Sequence, residues 1–85
     1  MWKVTTTRNA AKELAKLPKK IGLIYQALTE DLIREGPHPF GWDIKSLKGR
    51  PEIRIRLNCE YRVLILVVEP DLIVIKVAHR KEVYE

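Results

Sequence analysis

Apolar positions recur along the chain with two different periods, and the change from one to the other divides the molecule. From Trp2 to Thr7 the residues alternate, Trp2, Val4 and Thr6 against Lys3, Thr5 and Thr7, and β-branched side chains dominate. That alternation predicts a first strand. Thr7 or Asn9 then stands where a helix needs a cap, ahead of Ala11, Leu14 and Leu17, and Pro18 stops the segment. Ile21, Ile24, Tyr25, Leu28 and Leu32 follow at i, i+3, i+4, i+7 and i+11, one face of a second helix. Gly36-Pro37 is its stop signal. The two helices form a hairpin with a single apolar side.

Pro37 to Trp42 reads as a loop whose aromatics, Phe40 and Trp42, plug the edge of the core. After Gly49-Arg50-Pro51 the period becomes two. Ile53, Ile55 and Leu57 point one way, Arg54 and Arg56 the other. Tyr61–Val68 is apolar on both faces, as a central strand would be. Glu69 to Asp71 makes a tight turn, and Leu72–Ala78 is a further strand with little polar alternation. The order is β-α-α-β-β-β: an α+β fold, a small antiparallel meander sheet with an N-terminal helix hairpin packed on one face, in a single domain spanning 1–85. One hairpin covers one face of a sheet. Strands that are apolar on both sides therefore leave a second face that is either covered by something else or used as a partner surface.

Composition narrows the class. An apolar share of 46% supports a folded domain, and 16 Lys and Arg against 11 acids give a net charge of +5. Such a balance favours a polyanionic partner. The single cysteine, Cys59, allows no internal disulfide and suits a reducing compartment. Met1–Ala10 lacks the apolar run of a signal peptide, and no stretch approaches the roughly 20 apolar residues of a membrane span. A cytoplasmic protein that does not engage membrane is expected.

The meander gathers candidate chemistry. Arg54 and Arg56 share a face of one strand. Arg62 opens the next, across the Asn58-Cys59-Glu60 turn. The last strand runs back antiparallel, so His79 and Arg80 are expected beside Arg62 and Arg56. Lys45, Lys48 and Arg50 add charge from the preceding loop. Each residue also has a plainer reading. Arg54 and Arg56 suit the wet face of an edge strand. His79 suits an ordinary hydrogen-bonded histidine, and His38 a loop residue. Trp42 suits core packing better than base stacking, and the three loop cations suit plain surface charge. Two histidines and one cysteine lack metal-ligand spacing, and no phosphate-loop motif occurs, so neither a metal nor a small-molecule cofactor is expected. A reaction on an anion without a cofactor remains open. RNA permits one, because its 2′-hydroxyl can attack the neighbouring phosphate if a base, an acid and cations are supplied. Arginine forks suit phosphate oxygens, and histidine suits proton transfer near neutral pH.

The run "LKGRPEIRIRLNCEYRVLILVV…IVIKVAHRKEVYE" resembles the RelE/ParE superfamily of bacterial and archaeal toxins, in its RelE branch. The resemblance covers the whole chain and rests on "LKG", the "YRV" strand opening and the terminal "HRKEVY". It implies the toxin of a type II toxin–antitoxin system, a ribosome-dependent mRNA endoribonuclease that blocks translation and is held inactive by a cognate antitoxin. By position it implies RNA contacts for Arg54 and Arg56, a grip on the scissile phosphate for Arg62, a terminal-loop arginine in Arg80, a base-orienting tyrosine in Tyr84, and an acid or base in His79. Arg54 and Arg56 stand where lysines occur in the best-known pattern. Arginine keeps its proton, which leaves His79 as the leading proton-transfer group and Asp43 as the next candidate. The chain reaches Glu85 without residues for a further C-terminal helix. The ParE branch, which inhibits DNA gyrase, is the alternative, and an inactive nucleic-acid-binding module is another.

Overall fold

In the computed structural model, which describes residues 2–79, the order is β1 (Lys3–Thr6), α1 (Arg8–Ala15), α2 (Lys19–Glu35), β2 (Ile44–Ser46), β3 (Glu52–Arg56), β4 (Tyr61–Val68) and β5 (Asp71–His79). The strands make one sheet in the order β1-β5-β4-β3-β2. β2 to β5 form the antiparallel meander, and β1 runs parallel to β5 at the far edge. The expected α+β architecture is therefore present, with two additions. The sheet is mixed rather than wholly antiparallel, and a short strand, β2, extends the expected three-stranded meander at its start.

Local chemistry explains the helix ends. Thr7 is extended, and its hydroxyl accepts the Ala10 N–H at 3.1 Å, capping α1. A cap of this kind is worth about 1 kcal/mol. α2 ends at Gly36, whose φ of 89° is one that L side chains rarely adopt. Space forbids a side chain there as well, because a Cβ on Gly36 would sit 2.6 Å from the Trp2 indole nitrogen. The helix stop and the seating of Trp2 thus depend on one glycine.

The helices cover one face. Leu28 and Leu32 of α2 are fully buried against Ile55, Val63, Ile65, Leu72 and Val74, and Ile21, Ala10 and Val77 complete the core. On α1 Ala10 is fully buried and Leu14 packs against the core as expected, with Leu17 just beyond it; Ala11, expected there too, is exposed. Phe40 is also placed differently from expectation. It stands 91% exposed instead of plugging the core, because its backbone N–H is tied to the Glu35 carboxylate at 3.0 Å. Trp42 does pack on the core edge, and its indole N–H donates to Asp31 at 2.8 Å.

β5 carries a one-residue bulge. Leu64 pairs with Lys76 and Ile65 with Val74, so Ile75 has no opposite number. The bulge resets the alternation, and Val74 and Val77 both reach the helix-covered face. β1 stops at Thr6, opposite Val74. Beyond that point α1 crosses the edge, and the Glu13 carboxylate accepts the Val77 N–H at 2.9 Å. A backbone donor that the ladder leaves over is satisfied in this way.

Candidate functional site

The register arranges the second face of the sheet as a grid. One row runs Asp43, Arg56, Arg62, Ala78, since Arg56 pairs with Arg62, Arg62 with Ala78, and the Arg56 N–H donates to the Asp43 carbonyl at 3.0 Å. The next row runs Lys45, Arg54, Leu64, Lys76. Alternation places all eight residues opposite the helices. The expected convergence of Arg54, Arg56 and Arg62 is met, Lys45 joins them, and Lys76 is a cation that the sequence reading passed over.

The burial of these cations departs from expectation. Arg54 is only 7% exposed, so the wet-edge reading fails for it, while Arg56 is exposed as that reading has it; Arg62 is only 5% exposed. A buried guanidinium requires oriented oxygen partners. Arg62 finds some of them in the adjoining turn. Its Nη1 donates to the Asn58 carbonyl at 3.1 Å and to that of Tyr61 at 3.4 Å. The Asn58 side chain meanwhile accepts the Glu60 and Tyr61 N–H groups, each at 2.8 Å, which closes the turn. Asn58 therefore shapes the loop and anchors the arginine, a role its spacing gave no hint of beyond marking a turn. The Arg62 Nε is buried and unbonded, and no carboxylate lies within ion-pair range of this residue among the described residues.

Asp43 is shared. Its Oδ2 lies 3.3 Å from the Arg56 Nε and its Oδ1 4.0 Å from Arg54 Nη2. Arg56 and Arg62 stand directly across from one another, an arrangement that is unfavourable for like charges. Asp43, on the other side of Arg56, offsets part of that cost.

His79 pairs with Tyr61, in the phase of Val63 and Ile65, and so faces the helices. It is level with Arg62 along the strands but on the opposite side of the sheet. Its ring meets Tyr61 edge-on at 5.7 Å, and its Nε2 lies 3.4 Å from a Glu60 carboxylate oxygen. With Glu13, Lys16 and Leu17 it lines a cleft of about 370 Å³ between α1 and the strand ends. Lys48 and Arg50 sit apart from the grid's arginine end, in the β2–β3 turn, where Arg50 pairs with Glu52 at 2.7 Å. Glu52 begins β3 and Arg56 ends it, about 13 Å away. His38 and Cys59 are exposed. Arg80 and Tyr84 lie outside the described residues.

Comparison of folds gives the grid its context. The toxin–antitoxin RelB–RelE complex of Methanococcus jannaschii contains a chain of 28% identity that superposes with a TM-score of 0.82, over 93% of each chain. The chain has the RelE/ParE toxin fold. Two further structures carry the same fold. The RelE–RelB complex of Pyrococcus horikoshii matches at 23% identity and a TM-score of 0.81, covering 95% of this chain and 97% of that one. The RelBE complex of E. coli matches at 20% identity and 0.75, covering 92% and 95%. No protein-family profile and no curated protein matches the chain. For a RelE/ParE fold the two rows of cations lie on the sheet face that the helices leave open. Among the described residues no group of side chains is arranged to hold a metal ion, and no helix is long and apolar enough to cross a membrane.

Proposed function

We propose that this chain is the toxin of a type II toxin–antitoxin pair, and that it cuts mRNA on the ribosome by driving the RNA 2′-hydroxyl onto the adjacent phosphate. The observation that carries the reading is Arg62. It is buried, anchored through one nitrogen, left with an unbonded Nε, and set among Arg54, Arg56 and Lys76 with no carboxylate of its own among the described residues. Breaking or omitting the partner of a buried charge costs several kcal/mol, so this position gains most when an external anion arrives. A phosphodiester has the charge and the oxygens to supply that partner.

In this mechanism the 2′-oxygen forms a bond to phosphorus while the bond to the 5′-oxygen breaks. A cyclic phosphate and a free 5′-hydroxyl result. Arg62 and Arg56 hold the equatorial oxygens as negative charge grows on them, and Arg54, Lys45 and Lys76 steer the flanking backbone. His79 moves the proton, with Arg80 and Tyr84 adjoining it in sequence. To reach the imidazole from the arginine face, the RNA passes over the ends of β4 and β5. The neighbouring RelB–RelE structures support a cognate antitoxin as partner. An acidic segment of that antitoxin laid over the cation rows would block the phosphate path, and the pair would reside in the cytoplasm.

The placement of His79 on the other face favours a second reading, a ParE-type inhibitor of DNA gyrase that needs no proton transfer. One experiment separates the two. RNA ends are mapped after brief induction of the wild type and of Arg62→Ala. Cuts within translated frames that vanish with Arg62→Ala sustain the interferase. An intact transcriptome with falling DNA synthesis assigns the chain to the gyrase class.

A further inference from the structure

Among the described residues Asp43 is the one carboxylate on the two cation rows. Its two oxygens are divided between two guanidinium groups, Oδ2 to Arg56 and Oδ1 to Arg54, at 3.3 and 4.0 Å. One planar anion with two oxygens spanning two arginines is how a phosphate would sit at the same place. Asp43 is not free to wander. It immediately precedes β2, and its carbonyl accepts the Arg56 N–H, so the ladder holds its side chain beside Arg56. Yet the side chain is 53% exposed and that of Arg56 is 43% exposed. A pair this wet is weak and can be exchanged.

We propose that Asp43 is the resident occupant of an oxyanion position between Arg54 and Arg56, which a phosphate takes over when it binds. The carboxylate does two things in the free protein. It lowers the mutual repulsion of Arg56 and Arg62 across the ladder. It also sets a threshold, because an incoming anion must displace it and sit beside its negative charge. Asp43 is thus a positioning residue that tunes affinity, distinct from a proton carrier. That the natural anion is an RNA phosphate rests on the function proposed above. The exchange itself rests only on the geometry of three side chains.

The test uses inorganic sulfate first and RNA second. Binding of sulfate to the full chain is read from the rise in Tm with sulfate at constant ionic strength, for wild type, Asp43→Asn, Asp43→Glu and Asp71→Asn. Asp71 begins β5, at the opposite end of that strand from Ala78 and Arg62, and controls for the loss of one negative charge. Asp43→Asn is expected to bind sulfate roughly 3–10-fold more tightly, the scale of two weak ion pairs to a half-exposed carboxylate released together. Asp43→Glu and Asp71→Asn are expected to match the wild type. Sulfate affinity of Asp43→Asn equal to or below wild type overturns the proposal, as does an equal gain in Asp71→Asn. A 2′-O-methyl RNA hexamer, which cannot be cut, is then titrated by fluorescence anisotropy. Tighter binding of the hexamer to Asp43→Asn extends the exchange to RNA. A gain with sulfate but no binding of RNA by any variant leaves the exchange standing and removes the RNA reading.

Discussion

The two faces of the sheet are built from alternate residues of the same strands, yet they obey different chemistry. On the helix-covered face Ile55, Val63, Ile65, Leu72 and Val74 are fully buried with Leu28 and Leu32, all of them apolar. On the other face Arg54 and Arg62 are as deeply buried as many core residues, beside Leu64 and Ala78. The first face gains from being dry and needs no partner. The second holds charge out of water, with backbone carbonyls beside Arg62 and the Asp43 carboxylate shared by Arg54 and Arg56. Depth of burial does not distinguish them. What distinguishes them is charge, and the unbonded Nε of Arg62 marks the second face as the candidate site without reference to a motif.

The comparison is broken most severely from the apolar side. Leu28→Ala is expected to cost about 2–5 kcal/mol of stability, from lost transfer energy and a residual cavity, read from the urea midpoint. A loss under about 1 kcal/mol would mean that this face is not the one that holds the fold. Arg62→Met is the reciprocal change. Replacing a buried charge by an apolar chain of similar length is expected to leave stability unchanged or raise it, while cleavage falls by roughly 10²–10³-fold. Unfolding of this variant would make Arg62 structural. His79→Ala tests whether the two faces cooperate. Cleavage of mRNA on purified ribosomes is expected to fall about 10²-fold with an unchanged circular dichroism spectrum. Near wild-type rates would confine the chemistry to the arginine face.

Smaller effects sharpen the contrast. Gly36→Ala combines a positive φ with a clash against Trp2, and about 1–3 kcal/mol of destabilisation is expected in thermal unfolding. Its sulfate affinity should not change, because Trp2 lies away from the grid. The smallest effect concerns Asp31. The Trp42 indole N–H, and then Arg34, hold its carboxyl below the ordinary range. A lowered folded-state value means that this contact stabilises above the ordinary carboxylate pKa of about 3.9 and is lost as pH falls through the folded value. Trp42→Phe should therefore raise the Asp31 titration midpoint seen by NMR. No rise would assign the shift to Arg34.

Much of this was legible from residue order. The i, i+3, i+4 spacing of α2, the Thr7 cap and the Gly36-Pro37 stop depend on local chemistry, and all three stand as read. The missing parts depend on contacts between distant segments. β2 is three residues long, and Ile44-Lys45-Ser46 offers too few alternations to differ from a loop until it finds β3. Arg54 looks like a surface residue because alternation reports the face and not what else lies on it. The cation row was readable up to Lys76, whose side is decided by the bulge at Ile75. The same bulge decides the side of His79, and nothing in the order of residues marks it. Phe40 looked like core because of its type, whereas Glu35 holds its backbone outward.

The bulge also bears on how this chain aligns with its relatives. Ile75 is the one residue of β5 with no counterpart on β4, so removing it would leave Val74 and Lys76 as consecutive members of an ordinary ladder, each still on its own face. A change of one residue in the length of this strand can thus be absorbed at a single point. A gap opened at Ile75 keeps Val77 inward and Ala78 outward. A gap opened at Val77 instead would assign Ile75 to the outer face and Lys76 to the inner one. Alignments that place the gap by residue similarity alone will therefore confuse Lys76 with a core position in relatives whose β5 runs straight.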